Sequence, residues 1–304
     1  MAAAGDTDIA GLLVAGERAA FHGRPAAGID PLRRAVAAAE AQGLHAEAAG
    51  AGWLLGVCLS SAGRYGEALT VLEPLVAAAD TPESRMLAAL AAATVASIHR
   101  QLGRHGVAQG YDEAALDGSQ GSGEAGFDAL LGLAADAVGL GDAAAAATHL
   151  GEATALAEDR VDWWRQRVRL GWVRAEVALL EGRAEDAAIA AHESVDLAEQ
   201  SGAPRHVAKG LLFLGVSQVE AGRPDEAAAT LRRAALLAES LGTVPLLWPV
   251  RAMLSALLAV SDPAESERSL QVARRAVEAV ASGLPEQLRA DWVSRADVAA
   301  VLGS

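Results

Sequence analysis

Eight residues between 160 and 174 stand out for what they could hold. Arg160, Trp163, Trp164, Arg165, Arg167, Arg169, Trp172 and Arg174 are five arginines and three tryptophans in a chain that is only 4% aromatic and has a formal net charge of −14. Guanidinium forks take carboxylates and phosphates bidentately, and an indole offers an apolar anchor. Arg165 and Arg169, with Arg205 and Lys209 further along, make a candidate anion-holding set beside Trp172. Lys209 is the sole lysine of the chain. The same cations could instead pair with Glu124, Asp128, Asp162 and Glu176 on neighbouring helices, leaving the tryptophans to the core. Trp163 and Trp164 are adjacent, so on a helix they cannot face the same side.

Other chemistry finds little footing. The seven histidines (22, 45, 99, 105, 149, 192 and 206) form no His-Glu-x-x-His and no pair four apart, so no metal site is expected. Cys58 sits between Val57 and Leu59 in an apolar stretch and reads as a buried thiol with no nearby base. Gly139-Leu140-Gly141-Asp142-Ala143-Ala144 mimics a dinucleotide fingerprint but follows a helical pattern where that fingerprint needs a strand. There is no Gly-x-Ser-x-Gly, no Gly-Lys-Ser/Thr loop and no paired-carboxylate signature. The expectation is a non-enzyme with no catalytic residues and no cofactor.

The elements that must position these side chains are written as a repeat. Gly23, Gly63, Gly103, Gly141, Gly182 and Gly222 recur at spacings of 40, 40, 38, 41 and 40, and Asp262-Pro263 falls on schedule as a seventh turn. Seven residues before each anchor stands a small residue: Gly16, Gly56, Ala96, Ala134, Ala175, Gly215 and Ser255. Nine after it come Leu32, Leu72, Asp112, Leu150, Ala191 and Leu231. Small residues near a tight turn let two antiparallel helices approach closely, and glycine at the turn supplies a left-handed C-cap. Asp262-Pro263-Ala264-Glu265 reads as N-cap, first helical position and capping-box Glu. Asp30-Pro31 and Thr81-Pro82 read as further helix starts. The Gly/Ser-rich stretch 117–123 reads as a flexible loop.

The small residue, turn glycine and early alanine of Leu55-Gly56…Gly63…Ala68 and Leu214-Gly215…Gly222…Ala227 resemble the tetratricopeptide repeat. The period of about 40, against the usual 34, resembles the long-repeat helical sensor arrays of large ATP-binding bacterial transcription regulators. The resemblance implies an all-α fold: an α-solenoid of about seven antiparallel helix pairs, a right-handed superhelix with a C-terminal helical cap. It divides as an array over 1–283 and capping helices over 284–304. It also implies that the first helix of each pair lines a concave groove. Positions 10, 13 and 17 before each anchor then share a stripe: Trp172, Arg169 and Arg165 in the fourth pair, and Leu212, Lys209 and Arg205 in the fifth. Trp53, Gly50 and Ala46 belong to the first pair, and Leu131, Asp128 and Glu124 to the third. In such an array each pair packs only on its neighbours, so stability should be roughly additive.

The totals bound the function. Hydrophobic residues make up 52%, and alanine, the best helix former, abounds. The acidic balance argues against nucleic acid. One cysteine permits no internal disulfide, which fits a reducing, cytoplasmic setting. The first residues lack a basic signal-peptide segment, and no apolar run reaches 18 residues, so no membrane contact is expected. The expected role is a regulatory scaffold for protein–protein or peptide interaction, holding a protein or peptide segment, acidic ones included, in its groove. The alternative is a sensor array binding a small anionic effector at repeats four and five. The groove candidates are Arg165, Arg169, Trp172, Arg205, Lys209, Trp53 and Asp128. A homo-oligomer is compatible with the large surface of such an array.

Overall fold

The computed structural model describes residues 8–79 and 81–303. The signal-peptide reading of the first seven residues, and Asp80 just ahead of the Thr81-Pro82 helix start, lie outside them. Among the described residues there are sixteen helices and no strand. Fourteen form seven antiparallel pairs: α1 (Ile9–His22) with α2 (Pro25–Ala41), α3 (His45–Ser61) with α4 (Tyr65–Ala77), and α5 (Pro82–Gln101) with α6 (His105–Gly118). Next come α7 (Gly123–Leu140) with α8 (Ala143–Ala157), α9 (Trp164–Leu180) with α10 (Ala184–Gln200), and α11 (Pro204–Glu220) with α12 (Pro224–Leu241). The seventh pair is α13 (Val244–Leu258) with α14 (Pro263–Ser282), followed by α15 (Glu286–Ser294) and α16 (Ala296–Leu302). Counted this way, Trp172 lies in the fifth pair and Lys209 in the sixth. The anchors give the same count, Gly182 being the fifth and Gly222 the sixth, so the site expected at repeats four and five lies on pairs five and six.

The repeat signals translate into local structure. Gly63, Gly103, Gly141, Gly182 and Gly222 have φ between 71° and 81°, the left-handed caps the spacing implied. Gly23 departs, with φ −141°: it leads straight into Arg24, whose extended backbone is what a following proline requires. The small residue before each turn faces the large residue after it. A β-carbon on Gly16, Gly56 or Gly215 would strike Leu32, Leu72 or Leu231 respectively, and all three leucines are fully buried. Asp262 caps α14 by accepting from the Glu265 amide at 2.9 Å, and Thr81 and Ser84 form a reciprocal capping box on α5. Pro31 does not start a helix. It lies inside α2, which Pro25 has already begun. The 117–123 stretch is a compact turn rather than a loose loop: Gln120, Gly121 and Gly123 take positive φ, and the Ser119 and Ser122 hydroxyls donate to Leu116 and Ser119 carbonyls.

The pairs do not pack only on their neighbours. One continuous core joins Leu55, Leu59, Leu72 and Leu102 near the N-terminus to Trp248, Val277, Trp292 and Val301 near the C-terminus. The array winds until its last elements meet its early ones. Along this seam the buried Thr243 hydroxyl donates to the Ser61 carbonyl at 2.9 Å. Arg295 donates to the Gln101 carbonyl, and Arg104 pairs with Asp291 at 3.2 Å. A β-carbon on Gly66 would run into the Gly283 carbonyl. α15 and α16 therefore do two jobs: they cover α14 and they join the seam. Additive, neighbour-only stability is thereby overturned, since a core shared by both ends couples distant pairs.

Candidate functional site: a central chamber

Closure turns the concave face inward around a cavity of about 480 Å³. Its wall is drawn from the first helix of every pair, for instance Phe21, Trp53, Arg100, Asp128, Trp172, Lys209 and Trp248. All seven groove candidates line it. The stripe rule found them because small residues elsewhere on these helices serve the helix–helix seams, leaving the stripe to face the axis. The rule missed Arg100 and Arg295, which also line the chamber. Arg100 sits three residues before its anchor and Arg295 beyond the last pair, so neither belongs to the stripe.

Charge in the chamber is organised in rows. At 17 before the anchor, successive pairs place Glu124, Arg165, Arg205 and Pro245 side by side. At 13 before it they place Asp128, Arg169, Lys209 and Pro249. Each row reads acid, base, base, proline. The first base meets the acid: Arg165 donates to Glu124 at 3.0 Å and to Asp128 at 3.1 Å, and Arg169 pairs with Asp128. Burial pushes the Asp128 carboxyl up, but Arg165 and Arg169 together outweigh it and hold it below its ordinary range. The second base in each row has another base on one side and proline on the other. Among the described residues neither Arg205 nor Lys209 has an ion-pair or hydrogen-bond partner, and the Arg205 Nε is buried unbonded. Burial, with neighbouring Arg169, lowers the Arg205 guanidinium to about 10. Burial lowers Lys209 to about 8, although the Glu176 carboxylate acts the other way.

Aromatic rings frame this unpaired corner. Lys209 Nζ lies 4.6 Å from the centre of the Trp172 ring. Trp172 stacks on His206 at 5.4 Å, and His206 meets Trp164 edge-on at 5.3 Å. Burial and the surrounding cations keep His206 well below its ordinary value, so it is a neutral ring. Trp172 Nε1 and His206 Nδ1 are both buried without partners, on side chains 4% and 1% exposed. The two adjacent tryptophans part company as expected: Trp163 is in the core edge-on to Phe127, while Trp164 reaches His22 of α1 at 5.3 Å. Elsewhere on the wall Arg100 bridges the buried Asp112 and Asp136, and Asp136 also meets His105 at 3.2 Å. Cys58 is buried and its thiol is pushed up to about 12 by burial, in keeping with a structural role.

No group of three or more potential ligands poised for a metal ion occurs among the described residues. No described helix is long and apolar enough to cross a membrane.

No family model and no curated protein sequence matches the chain. Solved structures do. A Rap protein complexed with Competence and Sporulation Factor superposes with a TM-score of 0.63 at 12% identity, over 97% of this chain and 80% of that one. NprR in complex with its cognate peptide NprX gives 0.57 at 13% identity, over 97% and 82%. Aspartyl phosphate phosphatase F from Bacillus subtilis gives 0.51 at 11% identity, over 97% and 82%. At these identities the likeness concerns the fold, and in fold the chain is a tetratricopeptide-like helical-repeat solenoid.

Proposed function

We propose that this protein is a non-catalytic regulatory scaffold that binds a short peptide segment inside its central chamber. The observation that carries the reading is the chamber itself: an inward-facing wall built from all seven pairs, mixing aromatic side chains with charged ones, at a size typical of ligand sites. Two of the structures with this fold, the Rap protein and NprR, are complexes with Competence and Sporulation Factor and with the cognate peptide NprX, which supports the same use of the fold here. A small anionic effector is the second reading, favoured by the seam, which limits the length of ligand the interior can take. The test is titration of the purified chain with pools of synthetic hexapeptides, read by the fluorescence of Trp53, Trp172 and Trp248, which line the chamber. A saturable change that Leu212→Trp, filling the chamber, removes is expected. Absence of saturable binding by every pool would discard the peptide reading.

A further inference from the structure

We infer that the chamber holds its ligand by one carboxylate, seated on Arg205 and Lys209 beside Trp172, with an apolar body against the aromatic wall. This deepens the peptide-binding proposal and rests on it for the source of the ligand, though not for the chemistry of the seat.

The chamber wall has six basic side chains, Arg100, Arg165, Arg169, Arg205, Lys209 and Arg295, against two carboxylates, Asp128 and Glu176. Four of the six are already engaged: Arg100 by Asp112 and Asp136, Arg165 and Arg169 by Asp128 and Glu124, and Arg295 by Asp297 and the Gln101 carbonyl. An incoming anion would have to compete with carboxylates already in place there. Only Arg205 and Lys209 form no ion pair or hydrogen bond, Lys209 having the Glu176 carboxylate near it but not in contact. A cation withdrawn from water without a counter-ion is costly, and an arriving carboxylate offsets that cost where the engaged arginines would gain nothing. This is the reverse of a structural ion pair: the site is incomplete until something fills it.

A second observation points the same way. His206 Nδ1 is buried at this corner with no hydrogen-bond partner, whereas buried polar atoms are nearly always satisfied. The rest of the ligand meets Phe21, Trp53, Leu212, Phe213 and Trp248, which asks for an apolar body. Peptides carry carboxylates at the C-terminus and on Asp or Glu side chains, and either source presents the same group to the seat.

Calorimetric titration with 2-naphthoate and with uncharged 2-naphthamide tests the seat without assuming a peptide. Naphthoate is expected to bind at least tenfold more tightly. Arg205→Gln and Lys209→Met are each expected to remove that preference while naphthamide binding and the thermal transition persist. Hexapeptide pools then separate the sources: free acids without Asp or Glu, amidated peptides with Asp or Glu, and amidated peptides with neither. The last pool is expected to bind at least tenfold more weakly than one or both of the others. Equal binding of naphthoate and naphthamide, or a preference that survives both substitutions, overturns the carboxylate seat even if peptides bind. A clear naphthoate preference with no peptide binding keeps the seat and removes the peptide.

Discussion

Two neighbouring helices of the chamber wall treat their half-buried cations in opposite ways. On α9, Arg165 and Arg169 are matched by Glu124 and Asp128 on the preceding first helix. On α11, Arg205 and Lys209 occupy the same two stripe positions one repeat later and form no ion pair, although the Glu176 carboxylate acts on Lys209 through space. The side chains are similar and so is their depth, so the difference lies in the neighbour. Repetition at about 40 residues puts like positions side by side, and the order acid, base, base along a row leaves the second base over. A cation in such an array is therefore structural or available according to what the adjacent repeat presents. The type of the cation itself does not decide it.

The largest effect that could break this contrast is expected at Asp128. Asp128→Ala leaves two buried guanidinium groups facing each other, and should destabilise the chain by about 3–5 kcal/mol in urea unfolding. A loss below about 1 kcal/mol would show that Arg165 and Arg169 are no more committed than Arg205. Lys209→Met should do the opposite, stabilising the free chain by about 1–3 kcal/mol, since an apolar side chain replaces a half-buried charge that forms no ion pair. A destabilised Lys209→Met would mean that Lys209 is already satisfied.

The pH dependence sharpens the second prediction. Lys209 is held down to about 8 against an ordinary 10.5, with Glu176, Arg169, Arg205 and Arg100 as its charged neighbours. Below pH 8 it is charged in both folded and unfolded chains, and the full cost of burying it is present. Between 8 and 10.5 the unfolded chain holds the proton more tightly than the folded one, so the cost fades as pH rises. The stability advantage of Lys209→Met over the natural chain should thus be greatest below pH 8 and about half gone near pH 9. An advantage that stays level across this range would assign it to packing instead of charge. The smallest effect belongs to ion pairs on the outer surface. Arg232, which pairs with Glu265 at 2.7 Å on a half-exposed face, should cost less than about 1 kcal/mol when changed to Ala, measured the same way.

Much of this was legible in the residues. The lock of Gly56 into Leu72 and of Gly215 into Leu231 follows from a small residue seven before the turn and a large one nine after it. The chamber stripe follows from the same ruler, because helical geometry alone fixes which positions share a face. Pairing along the rows was within reach too, since Asp128, Arg169 and Lys209 sit at one offset from successive anchors; what it needed was the knowledge that those offsets touch. The contact of Thr243 with Ser61 had no local signal. It depends on small rotations summed over many pairs, and no stretch of sequence contains that sum. Pro31 misled for a related reason: a proline marks a helix start only if no better start lies just ahead, and Pro25 does.

The seam also changes what kind of object the array is. An open stack of repeats can gain or lose a unit and remain the same structure, one step longer or shorter. Here the Ser61 carbonyl must meet Thr243, and Gln101 must meet Arg295, at the end of a fixed number of turns. What the geometry fixes is therefore an offset: units five pairs apart must meet. A unit inserted between them would shift every such contact, whereas a unit added at an end would extend the same pattern.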